Sequence, residues 1–150
     1  MARPPRLDVI FERYADPVWF LTLNTLARQR WLDHAAIHAA LENFALHGRD
    51  TGRAYVGRYV LMPDHLHLFV QLSRDEVLGE WVKALKAILV RASAGQTGRW
   101  QKGFFDHLLR HSESYREKWE YVRMNPVRAG LVPRPEDWPY QGEYCPLRFD

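Results

Sequence analysis

Apolar and polar positions along the chain change period several times, and each change marks an element. From His65 to Leu72, side chains alternate: Leu66, Leu68 and Val70 point one way, His65, His67, Phe69 and Gln71 the other. This is a strand. Ala54 to Met62 is a second strand, joined to it through the Pro63-Asp64 turn as an antiparallel hairpin. Val18 to Thr25, rich in β-formers, is another. Helical spacing governs Trp31 to Leu46, which Gly48 to Gly52 interrupts, and Asp75 to Ser93, whose stripe is Leu78, Trp81, Val82, Leu85, Ile88 and Leu89. Trp100 to Leu109 reads as a fourth strand, weakened by Gly103. Ser114 to Glu117 resembles a capping box opening a third helix, which Asn125-Pro126 should stop. The order strand, helix, strand, strand, helix, strand, helix predicts an α+β, ferredoxin-like split βαβ domain. An antiparallel sheet of four or five strands carries helices on one face, with an additional C-terminal helix. Residues 1–16 form a polar arm, and 133–150 an irregular extension of a single domain.

At 150 residues, 47% of them hydrophobic, the chain can bury a real core and is not a disordered segment. One cysteine permits no intrachain disulfide, compatible with a reducing cytoplasm. No apolar run is long enough to span a bilayer, and no signal peptide is expected. The net charge of +3 says little, but only four of the 21 basic residues are lysines. Arginine is the better bidentate partner for phosphate, although a GC-rich genome would also favour it.

The chemistry lies in two places. On the strand, the aliphatic face belongs under the helices, leaving His65 and His67 on a more open face. Two imidazoles side by side either hold a metal ion, with a third ligand from elsewhere, or are half-exposed strand residues with ordinary hydrogen bonds. On the third helix, read from Ser112 to Asn125, Tyr115, Trp119 and Val122 form the buried stripe. Tyr121 and Asn125 fall together on a different face. A phenol is a weak nucleophile near its usual pKa of about 10. It can nonetheless attack a phosphodiester that a divalent cation has made electrophilic. Two imidazoles and one amide oxygen suit magnesium or manganese, manganese better matching the nitrogen donors. The product would be a covalent tyrosyl-phosphate.

At these residues the chain resembles the HUH endonucleases, more narrowly the single-tyrosine transposases of insertion sequences, and most closely the REP-associated tyrosine transposases. The matching segments are residues 59–68 (YVLMPDHLHL), 100–107 (WQKGFFDH) and 121–132 (YVRMNPVRAGLV), in the family's order. The resemblance implies that His65 and His67 ligate the metal, that Asn125 takes the third-ligand place and that Tyr121 is the nucleophile. It implies cleavage and rejoining of single-stranded DNA near a hairpin through a 5′-phosphotyrosine. The expected enzyme is cytoplasmic and nucleoid-associated. Insertion-sequence relatives exchange tyrosine helices within dimers; the REP-associated type is expected to act as a monomer. Asp64 stands where relatives often have asparagine, and a turn role is expected for it.

Lys83, Lys86, Arg91, Arg123 and Arg128 are the candidate DNA contacts, although a solvated helix face explains the first three equally well. Tyr55 and Tyr59 are candidates for base stacking, with burial the expected fate of strand aromatics. Tyr115-Arg116-Glu117-Lys118 has the tyrosine-to-lysine spacing of the replication initiators, but Tyr115 lies on the apolar stripe. The non-enzymatic alternative is a domesticated module that grips hairpin DNA without cutting it. Two-histidine phosphoesterases need two separated His-x-Ser/Thr motifs, and none is present.

Overall fold

β1 (Val18–Asn24), α1 (Ala35–Asp50), β2 (Ala54–Leu61), β3 (His65–Leu72), α2 (Leu78–Ala92) and β4 (Phe105–Leu109) follow one another in the split βαβ order. α3 (Ser112–Val122), the single turn α4 (Asn125–Arg128) and β5 (Gln141–Glu143) complete the chain. The computed structural model describes residues 16–149; the N-terminal arm up to residue 15 lies outside them. All strand pairs are antiparallel, in the order β4-β1-β3-β2-β5. This is the ferredoxin-like arrangement with a fifth strand at the β2 edge. That strand comes from the tail, where the sequence pattern predicts only an irregular extension; three residues are too few to show a period.

Boundaries moved where local chemistry opposed the pattern. α1 starts after Trp31 and Leu32, which instead donate their backbone N–H groups to the Pro63 carbonyl. It then runs through Gly48, because a single glycine weakens a helix without ending it. Trp100 belongs to an isolated bridge with Thr25, and β4 begins only after Gly103, whose φ is +79°. The capping box does not form: His111 is the N-cap and no side chain caps the helix.

The sheet separates two cores. On one face Leu21, Leu23, Leu66, Leu68 and Val70 pack with α1 and α2 through Ile37, Leu41, Trp81, Val82, Leu85 and Leu89. On the other, Val18, Val60 and Phe69 meet Trp119 and Val122 of α3, with Trp138 from the tail. The alternation of β3 is therefore obeyed, but the histidine face is open only near the hairpin tip. Further along, α3 and the tail cover it, and Phe69 is fully buried. Tyr115, half-buried against this core, anchors the cover. Its ring packs on Phe69 and Phe149, and its hydroxyl accepts the Arg58 N–H at 3.0 Å, where β2 shifts register between Val56 and Tyr59. Gly57 permits the approach, since a Cβ there would strike the Tyr115 hydroxyl and the Leu147 side chain.

Candidate active site

His65 and His67 stand two residues apart on β3, on the face that α3 covers further along. Their ring centroids are 4.7 Å apart. Each ring is held at Nδ1. His65 Nδ1 lies 2.8 Å from Asp64 Oδ1, and His67 Nδ1 lies 2.9 Å from Thr22 Oγ1, its register partner on β1. With both Nδ1–H groups donating to these oxygens, both Nε2 lone pairs are left for a cation, the usual outer-sphere arrangement of a histidine ligand. Phe20 stacks on His67, with centroids 5.3 Å apart. The donor set thus fits a divalent metal, though two imidazoles do not complete a site. Among the described residues, no group of three or more His, Cys, Asp or Glu side chains stands together. An amide oxygen is a donor of another type that such a site accepts.

Asp64 does more than turn the chain. Arg28 Nε and Nη2 each lie 3.0 Å from Asp64 Oδ2, so the carboxylate that orients His65 is itself clamped. Burial would raise the Asp64 carboxyl, but the hydrogen bonds from His65 and Arg28 outweigh it and hold the group below its ordinary range. Arg28 reaches Asp64 from a strained turn: Ala27 and Arg28 both take the left-handed conformation, with φ of 52° and 53°. Such residues cost about 1 kcal/mol or more each and collect at functional sites. Loss of the clamp by Asp64→Ala should weaken Mn²⁺ binding by about 10- to 100-fold, the usual effect of deleting an outer-sphere partner. Titration calorimetry of the folded variant checks this.

Burial is the main cause that pulls His67 down to about 3, helped by the charges of His65, Lys118, Arg128 and Arg28. His67 is therefore neutral at physiological pH, the form a metal needs. The unfolded chain, with histidine near its ordinary 6.5, takes up the proton first as pH falls. Stability is thus complete above about pH 6.5 and declines from there toward pH 3. In chelator-treated protein, the melting temperature should start to fall below pH 6.5, and His67→Gln should flatten that limb.

The tyrosine helix approaches the same end of the sheet. α3 begins with Tyr115 over Phe69 and runs to Val122, in the cluster that holds Val60 and Met62 beside the hairpin tip. It does not continue unbroken to Asn125. α3 ends at Val122, Met124 N–H bonds back to the Tyr121 carbonyl, and Asn125-Pro126 opens the separate turn α4. Proline forbids an uninterrupted helix but suits the first turn of a new one. Arg128 restores the link that this break removes. Its guanidinium lies 4.1 Å from the Tyr121 ring centroid and its Nη2 donates to Asn125 Oδ1 at 3.0 Å. Arg128 also contributes to the field at His67. Tyr121 is 65% exposed, and its hydroxyl makes no hydrogen bond among the described residues. Asn125 keeps one acceptor lone pair besides the one Arg128 uses.

The basic candidates divide by face. Lys83, Lys86 and Arg91 lie on α2, across the sheet from the histidines. Lys86 is committed elsewhere: its ammonium donates to the carbonyls of Gln101 and Gly103 at 3.1 and 2.6 Å and pins the segment before β4. Arg123 is paired with Glu120 at 3.0 Å. Tyr59 is buried, with its hydroxyl 2.6 Å from His38 Nε2 and its ring stacked on Tyr144. Tyr55 is only marginally exposed. The sequence did not single out Thr22 or Arg28, whose roles need strand register and a turn conformation. It reached Lys118 only as a spacing partner of Tyr115. Asp64, the immediate neighbour of His65, was the available signal for the clamp.

Sheet order, two-sided packing and a histidine pair beside a tyrosine-bearing helix define a ferredoxin-like α+β domain, and its fold recurs in solved transposases. The particular transposases to which the chain is similar are the REP-associated tyrosine transposases. It is 27% identical over 124 residues to the one from Escherichia coli K12, covering 81% of this chain and 73% of that protein. A candidate of the same kind from Haemophilus influenzae is 30% identical over 94 residues, and the match spans 53% of each chain. The fold matches a solved REP-associated tyrosine transposase bound to a REP hairpin with a TM-score of 0.70 and 26% identity, over 85% of this chain and 76% of that one. A candidate transposase from Deinococcus radiodurans shares the fold at TM-score 0.53 and 17% identity, over 70% of this chain and 87% of that one. No protein-family model matches the chain. No helix among the described residues is long and apolar enough to cross a membrane.

Proposed function

We propose that this chain is a metal-dependent single-strand DNA endonuclease and strand transferase that cuts and rejoins DNA beside a hairpin, with Tyr121 as nucleophile. The observation that carries the reading is the exposed phenol of Tyr121, joined through Arg128 to Asn125 and to the field at His67. Likeness to a transposase solved with a REP hairpin supports hairpin DNA as the substrate. His65 and His67, through Nε2, and Asn125, through Oδ1, would hold a magnesium or manganese ion. When bound, that ion supplies Lewis-acid polarisation of the scissile phosphate.

The chain's own groups do the rest. The Tyr121 oxygen attacks phosphorus in line; the O–P bond forms as the P–O3′ bond breaks. The phenolic proton passes to solvent, and the leaving 3′-oxygen takes one up. The result is a 5′-phosphotyrosine and a free 3′-hydroxyl. The number of phosphodiester-type bonds is unchanged, so a 3′-hydroxyl can attack the tyrosyl phosphate and rejoin strands without ATP. Arg128 beside Tyr121, with Lys118 over Phe20, supplies positive charge where phosphate charge must be held. α3 packs through Trp119 and Val122 on its own sheet, which supports a reading in which the tyrosine serves its own histidine pair in a monomer.

Incubation with a labelled hairpin oligonucleotide carrying unpaired flanks, in Mn²⁺, tests this on a denaturing gel. A covalent protein–DNA band is expected. Retained binding without the band would leave a hairpin-binding module and end the enzymatic reading.

A further inference from the structure

We propose that Phe105 and Lys118 form a subsite for one unpaired nucleotide of single-stranded DNA, next to the histidine pair: the base stacks on the Phe105 ring and its phosphate meets the Lys118 ammonium. This deepens the proposed function and rests on its assignment of the substrate. Strand register carries the first half. Phe105 on β4 pairs with Thr22 on β1, which pairs with His67 on β3. The three side chains lie in one row on one face of the sheet. With strands about 4.8 Å apart, Phe105 stands roughly 10 Å along that row from His67. That separation suits a phosphate at the histidines and a neighbouring base over the ring.

The ring is uncovered. Phe105 is 62% exposed, whereas Leu109, on the same face of the same strand, is buried beneath α3. Exposing a phenylalanine forgoes on the order of 2 kcal/mol of burial. Here the residue sits on the outer strand, with no strand beyond it among the described residues, so a nucleic-acid chain can leave over the sheet edge. His107, two residues on and also exposed, prolongs the same face.

Lys118 carries the second half. Its Nζ lies 5.3 Å from the Phe20 ring centroid, and Phe20 stacks on His67 while pairing in register with His107. The ammonium therefore stands over the sheet between the histidine pair and β4. It makes no ion pair among the described residues, and Glu120, two residues on, is paired with Arg123. A cation beside an exposed aromatic ring, on the rim of the proposed phosphodiester-cutting site, matches the pairing by which single strands are held: charge for the backbone, a ring for the base.

The test uses the full chain with Tyr121→Phe, which binds without cutting, and hairpin oligonucleotides carrying 2-aminopurine at each unpaired position in turn. Binding should quench the fluorescence at one position. Adding Phe105→Ala should abolish that quench and weaken binding about 5- to 100-fold, with an unchanged salt slope. Phe105→Trp should restore both. Lys118→Gln should instead lower the slope of log affinity against log salt by about 0.7 and keep the quench. Thermal melts confirm that the variants fold. Full quench and affinity within twofold of the parent in Phe105→Ala would overturn the subsite, even if the Tyr121 protein forms its covalent band. The expected quench pattern without any covalent band from the Tyr121 protein would sink the nuclease reading and leave the subsite standing. No binding to any of these oligonucleotides would remove both.

Discussion

Tyr121→Phe should abolish the covalent protein–DNA band and lower strand cleavage by at least about 10⁴-fold, the scale on which deleting a nucleophile acts. Hairpin affinity and melting temperature should stay close to the parent's. The reasons lie in the surroundings of the ring. Tyr121 is exposed, its hydroxyl has no partner among the described residues, and its aromatic face keeps Arg128 whether or not the oxygen is present. Removing the oxygen therefore deletes chemistry and almost nothing else. Tyr115→Phe should behave in the opposite way. That hydroxyl accepts the Arg58 N–H at 3.0 Å, and burial pushes its phenol up to about 12. Its loss should cost about 1–3 kcal/mol of stability, because the amide is left without its partner, while nicking persists. Measuring adduct formation and urea denaturation for both variants separates the assignments. Loss of the band at Tyr115 with retention at Tyr121 would reverse them.

His67→Ala should have the second largest effect. Cleavage in Mn²⁺ should fall by about 10³-fold or more, the several kcal/mol that Lewis-acid assistance contributes. The rise in melting temperature on adding Mn²⁺ should also disappear. The ring is fixed by Thr22 at Nδ1 and by the Phe20 stack, so its Nε2 direction is set before any metal arrives. Burial keeps it neutral, so no proton competes with the cation at neutral pH. His65, oriented by Asp64, and Asn125 would then offer two protein donors in place of three, and the ion should be lost at concentrations that load the parent. Chelation of the parent protein should reproduce the variant's loss of activity, and added Mn²⁺ should restore the parent only. A Mn²⁺-dependent thermal shift that survives His67→Ala would show that the metal binds elsewhere.

Local pattern was enough for the β-α-β-β-α-β order, the phase of β3 and the core role of Tyr115, because each depends on residues a few positions apart. Alternation along residues 65–72 placed both histidines on the face opposite Leu66 and Leu68, and the two cores follow that division. The 3.6 period placed Trp119 and Val122 inward and left Tyr121 out. Asn125-Pro126 marked the end of the helix to within a few residues, since proline restricts the residue before it wherever it occurs.

What tertiary structure alone decided are the contacts that cross the sheet or join distant segments. Thr22 reaches His67 across 45 residues, Arg28 reaches Asp64 across 36, and Lys86 is spent on carbonyls 15 and 17 residues on. No local period encodes strand register, a left-handed turn or the route of a tail that adds a fifth strand. The amino-acid order by itself determined which face of its strand or helix each candidate side chain occupies. Only the folded sheet, by pairing β4 with β1 and β1 with β3, decided which of them share one surface, because neighbours across a ladder are chosen by long-range packing and not by proximity in the chain.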